Sequence, residues 1–101
     1  MSVTSAGTGR ELTLSVTGEV DHHAAGEIMA ELERQMEERL PRKLTLDLGG
    51  VTFMDSSGIA VVLRAHRRVG ELGGSLTVRD VPVQAAKVLR AAGLERMVRF
   101  E

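Results

Sequence analysis

Apolar residues in this chain switch back and forth between a spacing of two and a spacing of three or four, and a chain patterned that way has few ways to fold. Glu11 to Thr17 sets Leu12, Leu14 and Val16 on alternate positions, as a strand with one buried face requires. Ser2 to Ala6 is expected to pair with it as a short edge strand through the Gly7-Thr8-Gly9 turn. Ala25, Ile28, Met29, Leu32, Met36 and Leu40 then fall on one helical stripe, with Glu31, Glu33, Arg34, Glu37 and Glu38 facing water. Asp21 stands where an N-cap carboxylate accepts unpaired amide hydrogens, and Pro41 stops this helix. Leu44, Leu46 and Leu48 mark a second strand from Lys43 to Leu48, after which Val51, Phe53 and Met54 lead into Asp55-Ser56-Ser57-Gly58. A second helix carries Ile59, Val62, Leu63, His66, Val69 and Leu72 on its stripe and ends at Gly73-Gly74. Leu76 to Val81 is the next strand. Pro82 opens a third helix through Val83, Ala86, Leu89 and Ala92, with Gly93 as its left-handed cap and Leu94 folding back on it. Met97 to Phe100 is a short last strand.

Strands and helices in strict turn imply crossover connections, hence an α/β domain with a mostly parallel sheet of four to five strands and three main helices. Loops that follow parallel strands gather at one edge of the sheet. The loop holding Asp21 and the loop holding Ser56 are therefore expected side by side. With 101 residues there is room for one core only, so the whole chain, 1–101, is expected to be one domain, 1–10 being a weak strand and turn.

Composition narrows the function. A formal net charge of −1 gives no general pull toward nucleic acid or an anionic membrane. Two Phe and no Trp or Tyr leave no stacking platform for single-stranded nucleic acid. The lack of cysteine excludes disulfides, thiolate metal sites and a cysteine nucleophile, and fits a reducing compartment. The longest aliphatic run, Ile59 to Leu63, falls far short of the roughly 20 residues of a spanning helix. Met1 to Gly7 lacks the basic and apolar blocks of a secretory signal. A cytoplasmic domain is expected.

Three constellations carry chemistry. Met54-Asp55-Ser56-Ser57-Gly58 lies at a strand-to-helix junction, where unpaired amides favour an anion, so a serine there can carry a phosphate that meets those donors. The plainer reading is that Asp55, Ser56 and Ser57 cap the helix and Gly58 allows close packing. A serine nucleophile with His22 or His23 as base is disfavoured, because the segment is not a G-x-S-x-G elbow and no second glycine-rich oxyanion loop exists. Asp21-His22-His23 occurs in metal-dependent phosphoesterases, but such sites need further ligands; His66, the only other histidine, sits on an apolar stripe, and no metal site is expected. Arg64, Arg67 and Arg68 read as a solvated face, Met29 and Met36 as core filling. No P-loop and no G-x-G-x-x-G is present.

These residues together resemble the STAS family, and within it the anti-sigma factor antagonists, most closely the bacterial sporulation type. The resemblance is carried by Leu14 to His23 with its Gly18-Glu19-Val20-Asp21-His22-His23, by Leu46-Asp47-Leu48 through Phe53-Met54-Asp55-Ser56-Ser57-Gly58-Ile59, and by Leu89 to Leu94 with Arg99-Phe100. It covers the chain from about Glu11 onward. It implies a β-α superhelix of right-handed turns and a non-enzymatic switch protein in the cytoplasm. The unphosphorylated form would bind an anti-sigma factor that is also a serine kinase, freeing a sigma factor. That kinase, using ATP, would phosphorylate the serine matching Ser56 and end the interaction, and a serine phosphatase would restore it. The domain would need no cofactor of its own and touch neither nucleic acid nor membrane. Asp21 matches a family aspartate beside the serine, and the implied partner surface takes in Asp21, His22, His23, Met54, Asp55, Ser57, Gly58 and Ile59. A STAS module sensing a nucleotide or small ligand, or working in a stress signalling complex, is the alternative, and a small serine or metal hydrolase a remote one. Family members commonly continue past the last strand into a further helix, whereas this sequence stops at Phe100-Glu101.

Overall fold

A computed structural model describes residues 2–101; Met1, inside the expected domain boundary, lies outside them. The strands are β1 (Ser2–Ala6), β2 (Glu11–Val20), β3 (Lys43–Met54), β4 (Ser75–Arg79) and β5 (Arg99–Phe100). The helices are α1 (His22–Arg39), α2 (Ser57–Glu71) and α3 (Val83–Ala91), with a 3-10 turn at Leu94–Arg96 before β5. The sheet runs β1-β2-β3-β4-β5; β1 pairs antiparallel with β2 and every other pair is parallel. Each helix thus carries the chain to the adjacent strand, as the alternation of patterns requires.

Burial alternates along β2, β3 and β4, so one face of the sheet holds the core. Leu12, Leu14, Val16, Leu44, Leu46, Leu48, Leu76 and Val78 are buried against Ile28, Leu32 and Met36 of α1, Val61, Val62, Ala65 and Val69 of α2, and Leu89 of α3. Between them Thr13, Ser15, Thr45, Asp47, Thr77 and Arg79 stay half-buried. This is why the sequence alternates, where a parallel sheet covered on both faces would read as continuous Val, Ile and Leu. On that polar face the register partners Asp47 and Arg79 form an ion pair at 2.9 Å. The Arg79 guanidinium, aided by the Gly49 amide, holds the Asp47 carboxyl below the usual carboxylate range.

Several expectations need correction. The strand expected to end at Leu48 runs on to Met54, and β2 runs past Thr17 to Val20. The pairing explains why this was hidden. Ser15 and Thr17 oppose Asp47 and Gly50, and Gly18 and Glu19 oppose Val51 and Phe53, so β3 carries an extra residue at each of two bulges. Buried positions along β3 therefore step from Leu48 to Val51 to Met54, a spacing of three that imitates helix. The buried line of α2 is Gly58, Val61, Val62, Ala65 and Val69, while Ile59, Leu63, His66 and Leu72 are only partly covered. Apolar residues occupy more than half the circumference of α2, so the phase of its stripe is ambiguous from sequence. Leu40, expected on the α1 stripe, is 43% exposed, because the chain turns there into the left-handed region at φ 46 to leave the helix ahead of Pro41. Gly93 takes the left-handed conformation expected of it, but β5 begins at Arg99 because Leu94–Arg96 forms a 3-10 turn.

Candidate functional site

Val20 and Met54, the last residues of β2 and β3, are register partners, so Asp21 and Asp55 leave the sheet side by side. The two loops are tied together directly. The Asp55 amide donates to the Val20 carbonyl at 3.1 Å, and one Asp55 carboxylate oxygen, Oδ2, accepts from the His22 amide at 3.2 Å. Its other oxygen, Oδ1, accepts from the Ser57 amide at 2.8 Å. Asp55 therefore bridges the first turn of α2 to the first turn of α1. Those contacts, the Ser57 amide first and the His22 amide adding to it, hold its carboxyl below the usual carboxylate range.

Asp21 is the N-cap of α1, its Oδ1 accepting from the amides of His23 at 3.1 Å and Ala24 at 3.0 Å. An Asp21→Ala variant is expected to lose about 1 kcal/mol of stability, read as a lower urea midpoint at unchanged slope. A drop in partner affinity much larger than this would show that Asp21 also touches the partner.

The first turn of α2 is capped differently from the plain reading of the motif. Ser56 has helical dihedrals, φ −61 and ψ −16, and its side chain makes no capping bond. The capping falls to Asp55: its carboxylate takes the Ser57 amide, its carbonyl takes the Gly58 amide at 3.0 Å, and the Ser56 carbonyl takes the Ile59 amide at 3.1 Å. Ser56 is left exposed with its hydroxyl uncommitted to the helix. The same bonds engage the Ser57, Gly58 and Ile59 amides, so of the amides of this turn only that of Ser56 itself is left to meet a phosphate, fewer than the several donors expected.

The remaining candidates divide. His22 and His23 are exposed, their rings 4.0 Å apart between centroids, and His23 Nδ1 lies 3.9 Å from Asp21 Oδ2. Ser57 and Ile59 are half-buried. Met54 and Gly58 face inward, which removes them from the implied partner surface: Met54 is 1% exposed, and a Cβ built on Gly58 would fall 2.4 Å from the Met54 side chain. Gly58 is there so that α2 can close down on the end of β3. Among the described residues, no three His, Cys, Asp or Glu side chains group closely enough to hold a metal ion. Of the arginine triplet on α2, Arg64 pairs with Glu33 of α1 at 2.8 Å and Arg68 with Glu71 at 3.3 Å, as a solvated face would.

One participant has no signal in the sequence. Gln84, on the first turn of α3, accepts the Met54 amide through Oε1 at 2.8 Å and donates from Nε2 to the Met54 carbonyl at 2.7 Å. Thirty residues separate the two, and nothing local marks a glutamine for that task. The residues next to each in sequence, Phe53 at 43% and Val83 at 74%, are exposed apolar side chains.

The sequence matches the family described as Mlab, STAS domain, over residues 3–99. The chain belongs to the STAS domain family. This STAS domain is 29% identical over 87 residues to a protein of Paenibacillus polymyxa named anti-sigma F factor antagonist, a match covering 86% of this chain and 74% of that one. Its fold is that of the anti-sigma factor antagonist SpoIIAA in its unphosphorylated form, with a TM-score of 0.82 at 24% identity, over 99% of this chain and 88% of that one. It also matches the Bacillus cell fate determinant SpoIIAA in the phosphorylated form, with a TM-score of 0.73 at 24% identity, over 99% and 91% of the two chains. No helix of this STAS domain is long and apolar enough among the described residues to cross a membrane.

Proposed function

We propose that this STAS domain is an anti-sigma factor antagonist, and that a phosphate on Ser56 releases it from its partner. The observation that carries the reading is the uncommitted Ser56 hydroxyl, exposed at the start of α2 because Asp55 has taken over the capping. A serine needed only as a cap would be bonded to the helix. This one is presented to whatever docks on the loops. Relatives named anti-sigma F factor antagonist support the partner class, an anti-sigma factor. The finer parts of the reading are that this anti-sigma factor is itself a serine kinase, that a serine phosphatase reverses the step, and that both act on the domain in the cytoplasm. The domain catalyses nothing and needs no cofactor. In the phosphorylation step the γ-phosphoryl group of ATP bonds to Ser56 Oγ, the hydroxyl proton passes to a base of the kinase, and ADP leaves.

The unphosphorylated surface suits a protein partner. The joined loops that carry Ser56 also expose His22 and His23 and half-expose Ser57 and Ile59, with the exposed Phe53 two residues before Asp55. A phosphate adds about −1.5 to −2 charges there. Asp21 and Asp55, in the same two joined loops, already engage the His23, Ala24, Ser57 and His22 amides, so few backbone donors are left to neutralise the new charge.

The test is to mix the chain with the anti-sigma factor of its own genome and Mg-ATP, weigh the intact protein and map the modified residue. One phosphate on Ser56 is expected. A Ser56→Ala variant is expected to take none and to stay bound when ATP is added. Full phosphorylation of Ser56→Ala, or failure of the unmodified pair to form a complex, overturns the reading.

A further inference from the structure

β3 is twelve residues long and its neighbour β4 only five, and their pairing stops at Asp47 and Arg79. Beyond that point the β4 side of β3 has no strand beside it. Successive residues of a strand send their amide and carbonyl groups to opposite sides. Asp55 donates to Val20 on the β2 side, so the amide and carbonyl of Met54 point the other way, where a longer β4 would have met them. Gln84 meets them instead, accepting at 2.8 Å and donating at 2.7 Å. A primary carboxamide offers the same donor and acceptor as a peptide group, so one side chain from α3 replaces the missing strand at a single rung.

We propose that Gln84 is a positioning residue for the switch serine: its carboxamide fixes the end of β3 and thereby the height of the Asp55–Ser56 turn. This rests on the reading of Ser56 as the phosphate acceptor. The chain of contacts is short. Gln84 holds the Met54 backbone, the Met54 side chain lies under Gly58, and the next residue, Asp55, carries the carboxylate that joins the Ser57 and His22 amides. Ser56 lies between Asp55 and Ser57 and has no side-chain bond to the helix to fix it independently. Gln84 is exposed on α3, so its two bonds to Met54 are its visible structural task.

The test uses three forms of the full chain: wild type, Gln84→Leu and Gln84→Glu. Leucine removes donor and acceptor while keeping a good helix former, so α3 persists. Glutamate keeps an acceptor but, when ionised, sets an oxygen against the Met54 carbonyl; protonated, it regains a donor. Amide hydrogen exchange is read by NMR at Met54, Asp55 and Ser57, with Leu46 in the core as the reference. In Gln84→Leu all three loop amides are expected to exchange about tenfold faster than in wild type while Leu46 is unchanged. In Gln84→Glu the same excess is expected at neutral pH, and its ratio to wild type at equal pH is expected to fall toward one below about pH 4. With the partner kinase, phosphorylation of Ser56 is expected to lose about tenfold in kcat with KM little changed, as misplacement of the acceptor rather than loss of a contact dictates.

Equal exchange in all three proteins overturns the clamp. Faster exchange confined to Met54, or loosened loop amides with unchanged phosphorylation kinetics, overturns the positioning role. A wild-type chain that takes up no phosphate overturns the reading of Ser56, and the Asp55 and Ser57 amides then still decide whether Gln84 sets the turn.

Discussion

A Ser56→Asp variant is expected to bind the anti-sigma factor at least about a hundredfold more weakly than wild type, a loss of about 2.7 kcal/mol, while its folding stability stays within about 0.5 kcal/mol. The two halves of this result have separate causes. Stability is spared because Ser56 is exposed and its hydroxyl caps nothing, so replacing it removes no internal bond. A carboxylate at the N-cap position of α2 also meets the favourable end of the helix dipole, which offsets its repulsion from Asp55. Affinity suffers because the same group must be buried against a partner in company with Asp21 and Asp55. Those two carboxylates already hold the nearby amides: Asp21 those of His23 and Ala24, Asp55 those of Ser57 and His22. A third anion finds few backbone donors left, and like charges brought together at an interface cost several kcal/mol. Calorimetric titration with the partner gives the affinity, and urea unfolding gives the stability. Unchanged affinity would refute the charge mechanism, and a matching loss of stability would mean that the substitution acts on the fold rather than on docking. Phosphate itself, with nearly twice the charge of aspartate, is expected to weaken binding further.

How much of this was legible in the sequence depended on whether the signal was local. The order of strands and helices could be read from apolar spacing because the sheet has one wet face, where Thr13, Ser15, Thr45 and Thr77 interrupt the leucines and valines. The meeting of the Asp21 and Ser56 loops followed from topology alone, and the pairing of Val20 with Met54 delivers it. The far half of β3 was not legible, since two bulges throw its buried residues out of the period of two. Nor could spacing tell which of Asp55, Ser56 and Ser57 caps α2. All three are good capping residues, and in the folded chain it is the Asp55 carboxylate that takes the Ser57 amide while also accepting from the His22 amide of the other loop. Met54 and Gly58 belong to the motif that resembles a partner surface, yet they are interior neighbours that seat the helix. A motif groups residues needed for one site without separating those that show themselves to a partner from those that hold the others in place. Gln84 marks the limit, because its role exists only once α3 has been folded onto the unpaired end of β3.

At the other end of the sheet a single methyl group is expected to do what the switch substitution does not. Gly74→Ala should cost about 3 kcal/mol, a large share of the 5 to 15 kcal/mol or so that holds a domain of this kind together. A Cβ built on Gly74 would lie 2.4 Å from the Arg42 carbonyl oxygen, 2.7 Å from its carbon and 2.8 Å from the Arg42 Cα. All three are backbone atoms, so no side chain can swing aside. The backbone cannot easily retreat either. The Arg42 carbonyl accepts the Ser75 amide at 3.0 Å, and the Arg42 and Lys43 amides both donate to Arg10, at 2.8 and 3.1 Å, where β2, β3 and β4 begin together. Moving Arg42 to admit the methyl group would pull on the first rung of both parallel pairings, Glu11 with Lys43 and Lys43 with Ser75. Gly73, its neighbour, has nothing within 4 Å of a built Cβ but a φ of 78, so Gly73→Ala should carry only the left-handed penalty of about 1 to 2 kcal/mol. The order of the two losses, read from urea midpoints, tests whether close approach rather than dihedral strain is the larger constraint in this turn. Because Gly74 sits at the starts of the strands and Ser56 follows their ends, the folded fraction of Gly74→Ala should bind the anti-sigma factor with wild-type affinity. Weakened binding per folded molecule would show that the two ends of the sheet communicate, which a rigid core between them does not provide for.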